Sequence, residues 1–175
     1  MNGSQRLAKV ASGTPRMEQA IPGLPMSGTV MVRLLRIAGA GVSDFFDPVF
    51  RSAELTENSF HVLCLLMASG NGQASPSELS ELVGTSRSNM TRILEQLEAD
   101  GWIERAVARR DARRQVISIT AQGRHKVQGT VPCIAGPIDR AFSDLDDEEL
   151  ALLGRLLGKL VISLDKGAEA IARVA

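Results

Sequence analysis

The sequence predicts a mostly α-helical protein with one small β-hairpin, and three observations support this prediction. Two short helical patterns, separated by a brief turn, occupy residues 75–101. An arginine-rich hairpin pattern follows directly over 102–120. Apolar residues repeat at helical spacing nearer both ends of the chain, over 31–49 and 150–164. Helix, turn, helix and hairpin in this order are typical of a winged helix-turn-helix, which binds duplex DNA.

The first helix of the pair has signals at both ends. Ser75 can cap the helix, Pro76 suits the first helical position, and Glu78 can complete a capping box. Gly84 follows the last helical residue, where a left-handed backbone costs glycine little. The apolar residues expected on its buried face are Leu79, Leu82 and Val83.

The second helix has one apolar stripe. Thr85 or Ser86 caps its N-terminus, and Asp100-Gly101 ends it. Residues spaced at i, i+3, i+4 and i+7 share one face of a helix, so this face should be buried. The stripe consists of Met90, Ile93, Leu94 and Leu97.

The opposite face of the second helix is polar, and we expect it to lie in the major groove as a recognition helix. Its hydroxyl, amide and guanidinium groups can hydrogen-bond base edges or phosphates. The alternative, an ordinary solvated face, is disfavoured by the basic hairpin that follows. We also expect contacts from the two serines that begin the first helix. The DNA-contacting residues predicted on the two helices are Ser75, Ser77, Thr85, Ser86, Arg87, Ser88, Asn89, Thr91 and Arg92.

The hairpin is predicted to form a basic wing. Residues 102–105 and 115–119 read as strands, and 106–114 as the tip between them. The segment 105–114 contains five arginines and one aspartate. Phosphates and a narrow minor groove are natural partners for such a segment, whereas a loop that needs only solubility seldom carries one sign of charge so densely. The predicted wing contacts are Arg109, Arg110, Asp111, Arg113 and Arg114.

Segment 79–123 resembles the MarR (multiple antibiotic resistance regulator) family of bacterial winged-helix repressors. The resemblance rests on the Asp111-x-Arg113 wing and the step 119–123, Ile-Thr-Ala-Gln-Gly, and it extends over about residues 30–165. It implies that Arg113 enters the minor groove, that Asp111 orients this arginine, and that residues 86–92 read the major groove. The segments most similar to the EmrR (MprA) branch, which regulates multidrug efflux operons, are 75–80, 85–92 and 101–105.

Composition favours one domain. The chain has 175 residues, 44% hydrophobic content and no net charge. It has neither a stretch of about 20 apolar residues nor a signal-peptide pattern, so we expect a soluble cytoplasmic protein without a membrane partner. Residues 1–26 contain several Gly and Pro and are predicted to form a flexible tail. The remaining protomer spans 27–175, with the DNA-binding winged helix over about 55–120.

The two apolar repeats predict a dimer. Dimerization helices are expected at about 27–50 and 121–172, and the resemblance implies a homodimer that binds a pseudo-palindromic operator. A monomeric helical bundle is the alternative, but it would leave one short helix to supply all the affinity. Pro132 and Pro137 should kink or break the helix after the wing.

The resemblance also implies a small aromatic effector, bound between the dimerization helices and the DNA-binding head, which would release a repressor of efflux or aromatic-catabolism genes. Arginines three apart on the first dimerization helix could pair with an effector carboxylate, and the alternative is that they are ordinary solvated arginines of a helix. The candidate ligand residues are Arg33, Arg36, His61 and Met67.

Two alternatives remain open. The protein could be a thiol-based redox-sensing repressor that uses Cys64 and Cys133, although a cysteine in an apolar helical run is more often inert. It could also be a DNA-architectural protein that needs no ligand. The sequence shows no metal-ligand spacing, no phosphate-binding loop and no hydrolase motif, so we expect neither a cofactor nor an enzyme.

Overall fold

The computed structural model describes residues 1–108 and 111–172. The predicted fold class is confirmed, since these residues form mostly helices with a small antiparallel sheet. The chain divides into two compact units, Met1–Ile134 and Ala135–Ala175. The elements are α1 (Gly3–Ala20), α2 (Met26–Ser52), α3 (Glu57–Ala68), β1 (Gln73–Ala74), α4 (Pro76–Val83), α5 (Arg87–Ala99), β2 (Ile103–Ala108), β3 (Asp111–Ile119), α6 (Ala121–Ala141) and α7 (Asp147–Ala172).

The capping signals place α4 and α5 as predicted. The Ser75 hydroxyl accepts from the Glu78 amide at 3.2 Å, and the Glu78 carboxylate accepts from the Ser75 amide at 3.4 Å, which closes the capping box. Gly84 has a φ of +71°, the left-handed end that the sequence predicted. Ser86 is the cap of α5, because its hydroxyl accepts from the Asn89 amide at 3.2 Å.

The sheet is larger than the predicted hairpin. β1 pairs with β3, which pairs with β2, and both pairings are antiparallel. The wing strands also continue to Ala108 and from Asp111, so our expectation that the whole of 106–114 forms the tip was wrong. Antiparallel pairing carries on past the apolar part of each strand, since it depends on backbone groups rather than on side-chain type. β1 is only two residues long, which is too short to leave a periodic pattern.

One continuous core lies beneath α4 and α5. It extends from Phe46 on α2, through α3, α5 and the sheet, to Ile134 on α6. All four residues of the predicted α5 stripe are buried. Leu82 was wrongly placed in the core, since its side chain is 62% exposed. On α4 it is Ser80 that faces inward, and its buried hydroxyl donates to the Thr85 carbonyl at 2.7 Å.

The chain begins with a helix where we predicted a flexible tail. Asn2 and Gln5 form a capping box, with hydrogen bonds of 2.9 and 3.0 Å, so α1 starts with its first amides satisfied. Val10 is buried, and α1 packs against α2. The glycines and prolines that suggested disorder therefore do not prevent a helix, and Pro15 lies within it.

Apolar residues of α2 and α7 face solvent in the protomer. On α2 we call the exposed residues Met31, Leu35, Val42 and Phe45 the α2 stripe. The exposed residues of the predicted leucine repeat on α7, Leu150, Leu153, Leu157 and Leu164, form the α7 stripe. A capping box of Asp146 and Glu149 begins α7. Within the described ranges, no helix is both long and apolar enough to span a membrane.

The base of the wing is fastened to the start of α6. The Thr120 hydroxyl donates to the Gly101 carbonyl at 2.8 Å and accepts from the Gly123 amide at 3.0 Å, so Thr120 caps α6. The ammonium group of Lys126 lies 4.7 Å from the centre of the Trp102 ring. α6 then continues without a break past both of its prolines, contrary to the break that we allowed for.

Candidate DNA interface

A groove of about 510 Å³ opens where α4, α5 and the wing meet. It brings together residues far apart in sequence: the first turn of α4, the exposed face of α5 and one residue of β3. Its polar groups are three hydroxyls, one guanidinium and one side-chain amide, which are the groups that bind phosphates and base edges. Its lining residues are Ser75, Pro76, Ser77, Arg87, Met90, Thr91 and Gln115.

Gln115 was missing from the predicted site. It is exposed and lies in β3, opposite Val107 in the register of the hairpin. The sequence pattern assigned it only to a strand. Its place directly after the arginine run of the wing was the one signal that could have identified it.

Hydrogen bonds organise the first turns of α5. The Asn89 side-chain amide donates to the Thr85 hydroxyl at 2.7 Å. The Asn89 side-chain carbonyl accepts from Nη2 of Arg92 at 3.0 Å. Thr85 and Asn89 are half-buried, whereas Arg92 is exposed. These three predicted DNA-contacting residues therefore form one connected network.

The hydroxyl groups of the site already make some hydrogen bonds within the protein. Thr91 donates to the Arg87 carbonyl at 3.0 Å, so its oxygen is left free to accept from DNA. Ser86 and Ser88 lie with their hydroxyl oxygens 3.1 Å apart, and Ser75 and Ser77 form a pair with the same separation. Each serine pair stands at the first turn of a helix, where positive potential favours a phosphate.

The wing is described in part. Arg109 and Arg110 lie outside the described residues, and only the backbone of Asp111, Arg113 and Arg114, within β3, is described. Their contacts with DNA stay predictions.

Arg105 differs from the other arginines that we counted in the basic segment. Its Nε lies 2.9 Å from a carboxylate oxygen of Glu98, and its side chain is only 19% exposed. It therefore joins β2 to the end of α5. It is not a free positive charge on the wing, as the simple count of arginines implied.

The four candidate ligand residues lie on two helices, and none of them lines the groove described above. On α2, Arg33 is half-buried and Arg36 is exposed. The Arg33 Nη1 atom is buried and has no hydrogen-bond partner among the described residues. On α3, His61 is exposed while Met67 packs against the core.

The two cysteines have different surroundings. Cys64 packs against the core on α3, and burial raises the pKa of its thiol, which disfavours the reactive thiolate. Cys133 is exposed on α6. In the described part of the chain, no cluster of three or more His, Cys, Asp or Glu side chains could hold a metal ion.

A family model, a curated relative and a solved structure all point to MarR-type regulators. The model of the MarR family matches residues 55–114. The transcriptional repressor MprA of Escherichia coli is 28% identical over 142 residues, which is 81% of each chain. A cysteine-to-serine mutant of Escherichia coli MarR, solved with operator DNA, has a TM-score of 0.68 at 21% identity and covers 82% of this chain and 96% of that one.

A further solved structure is that of BpsR from Bordetella bronchiseptica, whose DNA binding is regulated by 6-hydroxynicotinic acid. Its TM-score is 0.67 at 24% identity, and the match covers 75% of this chain and 98% of that one. At these identities the solved structures establish the shared fold. The family model matches residues 55–114, and MprA is similar along most of the chain, so the winged helix of this protein is similar to that of MarR-family regulators.

Proposed function

We propose that this protein is a homodimeric, sequence-specific DNA-binding repressor. The observation that carries the proposal is the groove in which Arg87, Thr91 and Gln115 meet the first turn of α4. Its groups come from three elements held by one core, so they present a fixed pattern to a major groove. Operator DNA bound to the MarR structure and the name of MprA as a repressor support this assignment.

The exposed stripes support the dimer. Contiguous apolar side chains on a helix seldom face water in a monomer, and such surfaces usually mark an interface. The α2 and α7 stripes are rows of this kind near the two ends of the chain. Two-fold symmetry would present two recognition helices about one turn of DNA apart, about 34–36 Å, which matches a pseudo-palindromic operator.

We further propose that a small aromatic acid releases the repressor from DNA, with efflux or aromatic-catabolism genes as the targets. The buried Nη1 of Arg33, which has no partner in the described part of the chain, supports a carboxylate-binding role for the Arg33 and Arg36 pair. Regulation of BpsR by an aromatic acid is consistent with this proposal.

DNA binding is tested with an operator selected from a random duplex library by the wild-type protein. Arg87→Ala should weaken operator binding and lower the salt slope by about 1, because one cation near the phosphates is lost. Arg51→Ala is the matched control, since Arg51 is an exposed α2 arginine already paired with Asp47. Equal affinity of the wild-type dimer for operator and scrambled duplex would refute the sequence-specific function.

The effector is tested by calorimetry with benzoate and hydroxynicotinate, in the presence and absence of operator. A ligand that releases DNA must prefer the conformation that does not bind it, and its affinity must fall on operator by the same factor by which it weakens operator binding. Arg33→Ala and Arg36→Ala should each reduce ligand affinity and leave ligand-free DNA binding intact. Unchanged ligand affinity in both variants would refute the arginine-anchored site.

A further inference from the structure

Both polar atoms of the Asn89 side-chain amide make a hydrogen bond inside the protein. Nδ2 donates to the Thr85 hydroxyl at 2.7 Å, and Oδ1 accepts from the Arg92 guanidinium at 3.0 Å. The backbone amide of Asn89 is also occupied, since it donates to the capping oxygen of Ser86 at 3.2 Å. This side chain is half-buried, although it lies in the first turn of the recognition helix.

The orientation of this amide is fixed by its neighbours. A guanidinium group only donates hydrogen bonds, so the atom that faces Arg92 must be the carbonyl oxygen. The rotated amide would bring two donors together at that point. Nδ2 therefore has to face Thr85, whose hydroxyl oxygen accepts from it. Only this orientation of the amide allows both hydrogen bonds to form.

An asparagine that reads adenine must present both its carbonyl and its amino group to the base. In Asn89 these two atoms are turned toward Arg92 and Thr85. Arg92, by contrast, uses one N–H of Nη2 and keeps its other donors for DNA. A guanidinium can give two of these to O6 and N7 of one guanine, and holding it beforehand reduces the rotamer freedom lost on binding.

We propose that Asn89 is a positioning residue that holds Arg92 for one guanine of the operator, with Thr85 as the anchor of its amide. This inference rests on the proposed function, because it assigns a role within the same DNA-binding surface. Asn89 then determines specificity at a G·C pair that it does not contact itself. Thr85 acts through Asn89 in the same way, from the turn before α5.

The test compares variants on a panel of operators that carry every single base-pair change. Arg92→Ala should lose discrimination at one G·C pair, by about 5- to 150-fold. Asn89→Ala should lose discrimination at the same pair, and the double variant should lose little more than Arg92→Ala alone, since both changes remove one contact. Thr85→Val should show a partial loss at that pair, and Thr85→Ser, which keeps the hydroxyl, should restore it.

Gln96→Ala is the matched control. Gln96 lies on the same helix and its side-chain amide donates to Asp100 at 3.1 Å, with the same i to i+4 spacing as the bond between Thr85 and Asn89. This variant should keep the wild-type specificity profile. Thermal unfolding of every variant separates loss of specificity from loss of fold.

Two results overturn the inference while leaving the proposed function intact. One is that Asn89→Ala relaxes discrimination at an A·T pair, which would make Asn89 a direct reader of adenine. The other is that the losses from Asn89→Ala and Arg92→Ala add in the double variant. Wild-type protein that fails to discriminate operator from scrambled duplex would overturn the proposed function, and with it this inference.

Discussion

Replacing Gly123 by alanine should destabilise the protein, although alanine is the better helix former. Gly123 is buried in the first turn of α6, and a Cβ at this position would collide with the backbone carbonyl oxygen of Trp102. That oxygen also accepts from the Thr120 amide at 3.1 Å, so moving it disturbs the hydrogen bond that joins the wing base to α6.

The magnitude follows from two opposing effects. Overpacking costs about 1–3 kcal/mol, and weakening the Thr120 hydrogen bond adds about 0.5–1.5 kcal/mol. The gain in helix propensity is at most about 1 kcal/mol. We therefore expect Gly123→Ala to lower the free energy of unfolding by about 1–3 kcal/mol.

Gly129→Ala is the matched control on the same helix. A Cβ there meets no atom within 4 Å among the described residues, so no steric cost opposes the gain in helix propensity, which should raise the free energy of unfolding by about 0.5–1 kcal/mol. Urea unfolding, followed by circular dichroism at one fixed protomer concentration, measures both variants. If Gly123→Ala has the same midpoint as wild type or a higher one, the tight contact with Trp102 is not a constraint and the reasoning is wrong.

Three further predictions concern the wing, the cysteines and the dimer. Arg113→Ala should weaken operator binding by about 1–3 kcal/mol and reduce the salt slope by about 1, measured by fluorescence anisotropy at several salt concentrations; affinity within error of wild type would refute the wing contact. Iodoacetamide at neutral pH should alkylate Cys133 faster than Cys64, and Cys64 should react only as the pH rises, because burial raises its pKa; equal rates by mass spectrometry would contradict this. Leu153→Asp or Leu157→Asp should shift sedimentation toward the monomer, since each places a charge in the α7 stripe, and an unchanged dimer would exclude that surface.

The DNA-binding half was predictable because its signals are local. The caps at Ser75 and Ser86 and the left-handed Gly84 each depend on residues within four positions, and the structure has all three as predicted. The buried stripe of α5 followed from periodicity alone. Such features need no knowledge of the rest of the fold.

The errors arose at residues whose position and contacts are set by tertiary structure. Leu82 has the right spacing for the core of α4, but the buried Ser80 takes the inward place by bonding to Thr85. Arg105 belongs to the arginine run, yet its partner Glu98 lies on another element. The groove position of Gln115 likewise depends on how β3 meets α4 and α5, which no local pattern encodes.

The continuity of the core affects how the backbone amides of different helices exchange with solvent. One cluster of buried apolar side chains includes Phe50 on α2, Leu97 on the inner face of α5 and Val127 on α6. Such a cluster unfolds as one cooperative unit, and its deepest amide protons exchange with solvent only when the whole unit opens. The amides of α5 and of the C-terminal part of α2 should therefore exchange with similar free energies. A cavity made at Phe50, remote from DNA, would raise the exchange rate of the recognition helix as much as one made directly beneath it.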